Sequence, residues 1–135
     1  MCCLISWNAT KQDLVTLSST EAEYVAMSNA LKELLYVRNL LLSVMIKIGV
    51  SVMRYDNTGA GFLALNATTG PRTKHIDIKF HHIRECISSG LVRLLKVDTK
   101  LNLADLFTKP LGGRVVKIMS HLLMNMIGYV LNDLL

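Results

Sequence analysis

Nowhere do the 135 residues run for the roughly 18 uncharged apolar positions that a membrane-spanning helix needs. The longest apolar stretch, Leu34 to Met53, is broken by Arg38 and Lys47. The start, MCCLISWNATKQ, has neither the basic n-region nor the apolar length of a secretory signal. Cysteine is scarce: Cys2 and Cys3 are adjacent and Cys86 stands alone, which excludes a disulfide framework and any CxxC metal spacing. A reducing, intracellular setting follows, cytoplasmic or nuclear and not secreted, with no membrane partner. The sequons Asn8-Ala-Thr and Asn66-Ala-Thr are accordingly expected to stay unglycosylated. Internal repeats and low-complexity tracts are also missing.

What is present is a core-forming composition. Apolar residues make up 51% and charged residues 19%, whereas a disordered chain would have few aliphatics and dense charge. The length suits one core and leaves little room for a second domain. The formal charge of +5 and pI near 9.3 favour an anionic partner, nucleic acid foremost.

Ile5 to Ser18 has β-branched and aromatic residues with partial alternation and reads as a bent strand. Ser18-x-x-Glu21 and Thr20-x-x-Glu23 are overlapping capping boxes that open a helix. Its apolar face would carry Tyr24, Met27, Leu31, Leu34, Leu35, Leu41 and Leu42, and Gly49 would close it. Val50 to Tyr55 reads as a buried strand delivering Asp56 at its C-terminal end. A short helix, Ala60 to Leu65, comes next, then a Gly- and Pro-containing loop and a helix over Thr73 to Cys86. Leu91 to Val97 alternates as a strand, Leu103 to Phe107 is a short helix stopped by Pro110, and Arg114 to Leu135 repeats apolar residues at three and four. This order predicts an α/β fold, with residues 1–112 as the domain and 113–135 as an apolar helical tail.

Three acids fall where a sheet would gather them: Glu23 in the first turns of the long helix, Asp56 at a strand end, and Asp105 on the late short helix. Carboxylates at the ends of separate elements suit a hard cation such as Mg2+, which takes oxygen ligands and keeps several waters. Two such ions together activate a water and stabilise the leaving oxygen of a phosphodiester. Taken singly, Glu23 is equally a capping acid, Asp56 a turn residue and Asp105 a helix-start charge. His75, Asp77, His81 and His82 share a helical segment with Arg72, Lys74, Lys79 and Arg84, and a basic face meeting phosphates explains that segment better than a transition-metal clasp.

In order and spacing, Ser6-Trp7, Lys11-Gln12, LSSTEAEYVAM (Leu17 to Met27), Asp56-Asn57, RTKHIDIKFHHIRE (Arg72 to Glu85) and NLADLFTKPL (Asn102 to Leu111) resemble the C-terminal ribonuclease H region of copia-type LTR retrotransposon Pol polyproteins. The resemblance covers Ile5 to Leu111. It implies a ribonuclease H-like sheet with flanking helices and hydrolysis of the RNA strand of an RNA–DNA hybrid with two Mg2+ ions. It places Glu23, Asp56 and Asp105 on the family's catalytic and metal-binding acids, makes Glu21 the capping partner, and gives Arg72, Lys74, Lys79 and Arg84 the nucleic-acid face. The rest of a Pol polyprotein is the implied partner.

The family begins with two further strands, the first bearing an essential aspartate, and Met1 falls near the start of the third. Both strands and that acid are therefore expected to be missing from the sheet, and the chain to be a truncated, catalytically weak remnant of marginal stability. Gly59 and Gly61 stand where the family has larger residues and are expected to loosen the helix after Asp56. The alternative from another class is a non-catalytic nucleic-acid-binding or polyprotein-interaction module that keeps only the basic face.

Overall fold

A computed structural model describes residues 4, 6–66 and 74–125, with the side chains of 74–80 and 125 excepted. The elements are α1 (Ser19–Ser43), β1 (Ser51–Tyr55), α2 (Thr58–Leu65), α3 (Lys74–Ser88), β2 (Val92–Lys96), a 3-10 turn (Thr99–Leu101), α4 (Asp105–Thr108) and α5 (Gly113–Asn125). Two compact units result, one of Gln12–Lys100 and one of Met1–Lys11 with Leu101–Leu135. None of the described helices is long and apolar enough to cross a membrane.

In the first unit β1 and β2 run parallel in the register Ser51↔Val92 to Tyr55↔Lys96, joined by a crossover through α2 and α3. The mixture of helices and a small parallel sheet is the expected α/β class. The core is built from Tyr24, Met27 and Leu31 of α1, Met53 of β1, Ala60 and Ala64 of α2, Ile83 and Cys86 of α3, and Val92 of β2. Burying each large apolar side chain contributes about 1.5–3 kcal/mol, so α1 owes its position chiefly to Tyr24, Met27 and Leu31. The predicted stripe holds through Leu34 and Leu35, which pack partly buried on this cluster. Leu42 lies past it, 44% exposed.

Ser18 caps α1 as its spacing predicts, its Oγ accepting from the Glu21 N–H at 3.1 Å. The Glu21 carboxylate reaches back and accepts from the Leu17 N–H at 2.8 Å. The other end differs from expectation. Helix α1 stops at Ser43, well before Gly49, because Met45 takes the left-handed conformation (φ 62°). The Met45 N–H donates to the Leu42 carbonyl and the Ile46 N–H to the Leu41 carbonyl, the paired bonds of a Schellman ending. Gly49 instead offers its carbonyl to the Arg38 guanidinium at 2.6 Å, tying α1 to the approach to β1.

The strand expected over Ile5 to Ser18 does not form: residues 6–18 have no ladder partner among the described residues. A strand is defined by its neighbour, and the only described sheet contains β1 and β2 alone. Part of the segment is fixed by side chains instead, Gln12 Nε2 donating to the Ala22 carbonyl at 2.8 Å and Leu17 bonding Glu21. The late helix begins at Asp105 rather than Leu103, after the 3-10 turn. The tail helix is described as far as Asn125, and the rest of the predicted span lies outside the described residues.

Candidate nucleic-acid and cation site

Parallel strands deliver their C-terminal ends to one side of a unit, and β1 delivers Asp56 there, half-buried. Asn57 follows as the N-cap of α2, its Oδ1 accepting from the Ala60 N–H at 3.0 Å. The turn from strand to helix is thus fixed immediately beside the Asp56 carboxylate.

The first turn of α1 comes to the same place. A Cβ added to Gly59 would lie 2.8 Å from Thr20 Oγ1, so the starts of α1 and α2 touch through a position that has no side chain. Glu23 is three residues after Thr20 and shares its side of the helix. Its side chain is exposed. Gly61 also admits a neighbour: its hydrogen face lies against the Tyr55 ring, whose Oη would be 2.7 Å from an added Cβ. The glycines expected to loosen this helix are therefore the positions that let it approach α1 and β1.

Asp105 belongs to the other unit. It is buried in the first turn of α4 and its Oδ2 accepts from Lys109 Nζ at 2.9 Å, an i, i+4 ion pair whose lysine is half exposed. The DLFTK spacing contains the signal for this pair, which motif reasoning passed over.

As for the cationic face, Arg72 lies outside the described residues, and Lys74 and Lys79 are placed on the backbone of α3. Arg84 turns towards the C-terminus of α2, where Nη2 donates to the Leu63 carbonyl at 3.0 Å and also to the Asn66 carbonyl. It satisfies carbonyls that the end of a helix leaves open and sits at the negative end of the α2 dipole. Arg84 also lies close to the buried Tyr24 hydroxyl, whose pKa burial pushes well above the ordinary phenol range while the Arg84 charge partly pulls it back. Two further cations escaped sequence reasoning. Arg54 and Arg93 project from the exposed side of the sheet on diagonal positions of the β1–β2 ladder, beside Val52 and Leu95. Strand alternation carried the signal.

Glu23 and Asp56 offer the hard oxygen donors that Mg2+ takes, and such an ion commonly uses one or two carboxylates and fills its remaining positions with water. Among the described residues, no group of three or more His, Cys, Asp and Glu is arranged to hold a metal ion. The oxygen-donor chemistry of these two acids suits Mg2+, and they do not by themselves make a closed cage.

No protein-family model and no solved structure matches the chain. Curated proteins do. Over 109 residues, 80% of the chain, it is 42% identical to the retrovirus-related Pol polyprotein from transposon RE2 of Arabidopsis thaliana, of which that stretch is 8%. The corresponding polyprotein from transposon RE1 of the same plant is also 42% identical over 109 residues, 7% of its length. The polyprotein from transposon TNT 1-94 of Nicotiana tabacum is 37% identical over 105 residues, 78% of the chain and 8% of that protein. The chain thus spans less than a tenth of the relatives it matches.

Proposed function

From its homology to a segment of retrotransposon Pol polyproteins, we propose that this chain carries part of a ribonuclease H domain, the module that hydrolyses the RNA strand of an RNA–DNA hybrid. The observation that supports the reading is the Thr20–Gly59 approach, which sets the first turn of α1, the helix of Glu23, against the start of α2, two residues after Asp56. Acids from a helix and from a parallel strand suit a Mg2+-dependent phosphodiester-cleaving site. When bound, Mg2+ would supply an activated water and charge stabilisation for the leaving oxygen. Glu23 and Asp56 would hold it, and Asp105 is the third proposed ligand, for which Lys109 would have to give way.

The cations of α3, Lys74 and Lys79, with Arg72 before them and Arg84 anchoring the helix to α2, would follow the phosphates of the hybrid. Phosphate contacts position a nucleic acid and make binding salt-dependent, with affinity falling steeply as salt rises. The resemblance assigns four acids to the site, and these residues supply three of them. Salt-sensitive binding is common to this reading and to the alternative, a non-catalytic binding module, and cleavage separates them. The test is a labelled RNA–DNA hybrid incubated with the chain and Mg2+ on a native gel and a denaturing gel. A retarded complex that dissolves between about 50 and 200 mM salt is the expected result. Absence of any complex at the lower salt would remove the proposal. Cleavage, if seen, should vanish in Asp56→Asn.

A further inference from the structure

In the unit that contains α4 and α5, the indole of Trp7 stacks on the ring of Phe107, with centroids 5.4 Å apart and planes inclined by 12°. Trp7 is nevertheless 64% exposed. A ring covered on one face by a nearly parallel partner and still that exposed has its other face in water. Tryptophan normally gains its stabilising effect by burying a large apolar surface, so an open indole face is costly unless something covers it. The stack also limits how far the indole can turn, which lowers the ordering cost of a second ring settling on it.

The charge of the same unit narrows the occupant. Among the described residues of this unit, Lys11, Lys109, Arg114 and Lys117 stand against a single carboxylate, Asp105, which Lys109 already pairs. An acidic backbone that also carries flat aromatic groups suits such a surface, and single-stranded nucleic acid has both. We propose that Trp7, backed by Phe107, is a stacking platform for an unpaired nucleobase, with cations of the same unit attracting the phosphates of the strand. Aromatic platforms set among cations are how proteins hold single strands with little sequence preference. This inference rests on the nucleic-acid reading above but not on the carboxylates, since it needs no hydrolysis.

Trp7 is the chain's one tryptophan, so its emission reports directly on the platform. The experiment titrates the full chain with a labelled thymidine oligonucleotide of about 12 nucleotides, a length within reach of a stacking groove, and with an abasic strand of equal length. Strand anisotropy and Trp7 fluorescence are followed together. Both strands should bind at low salt, but the base-bearing strand should quench Trp7 strongly and bind about tenfold tighter, the effect of one stacked base. Trp7→Ala should erase that advantage while leaving the abasic affinity unchanged, and Trp7→Phe should keep part of it. Should the alanine variant lose its helical circular dichroism, quenching in the unaltered chain decides alone. Equal affinities with unchanged emission would overturn the platform and leave the phosphate-binding face of α3 intact. No anisotropy change with either strand would overturn the platform and the nucleic-acid reading together.

Discussion

Tyr24 is wholly buried, and its hydroxyl is a group the fold must keep neutral. Burial raises its pKa from the ordinary value of 10.0, with the Arg84 charge opposing. The unfolded chain releases this proton at a lower pH than the folded one, so the contribution of Tyr24 to stability is complete below about pH 10 and is lost as pH rises further. Cys86 behaves alike from a lower starting point, burial raising its thiol above the ordinary 9.0 with the Glu85 charge assisting. Chemical denaturation across alkaline pH should therefore show stability falling above pH 9, and Tyr24→Phe should flatten the part of that fall above pH 10. A parallel decline in both proteins would mean that Tyr24 does not titrate with unfolding. At this scale the sequence was readable where the interaction is local. Ser18 and Glu21 cap as their spacing says, and Asp105 with Lys109 obeys the four-residue rule of a helix. Arg84 was not readable as a partner of Leu63 and Asn66, since nothing within 18 residues of chain announces that contact.

Among the elements, the helices came through because caps and periodicity are short-range properties. Helix α3 is expected over Thr73 to Cys86 and found over Lys74–Ser88. The strand over Ile5 to Ser18 failed for the opposite reason: alternation describes a surface but does not provide the hydrogen-bonding neighbour. The early end of α1 was hidden because Met45 takes a backbone conformation usually left to glycine. Helix α2 gives the sharpest test of how elements fit. Gly61→Ala should gain about 1 kcal/mol in helix propensity but crowd the Tyr55 ring, at a cost of about 1–3 kcal/mol. The net expectation is a destabilisation of about 1 kcal/mol on these magnitudes, read as a lower urea midpoint. Tyr55→Leu in the Gly61→Ala background should recover much of it. A stabilised Gly61→Ala protein would show that the ring moves aside freely.

On the scale of the whole molecule, a two-stranded parallel sheet is a small structural base, since parallel sheets are usually covered on both faces. Here Val52, Arg54, Arg93 and Leu95 leave one side exposed. The homologous stretches are themselves less than a tenth of the Pol polyproteins that contain them. Glu23, Asp56 and Asp105 stand out in the sequence as acids within string-like motifs, which is why they form the proposed set. What no spacing announces is the Thr20–Gly59 approach between the starts of α1 and α2, because it depends on a missing Cβ. The proposed sharing of one ion by Glu23 and Asp56 is tested with Mn2+, which prefers the same oxygen donors, by paramagnetic broadening of amide resonances. Substoichiometric Mn2+ should erase the signals around residue 23 and residue 56 together, with Mg2+ competing and Asp56→Asn abolishing the effect at both. Broadening at one position without the other would contradict the account.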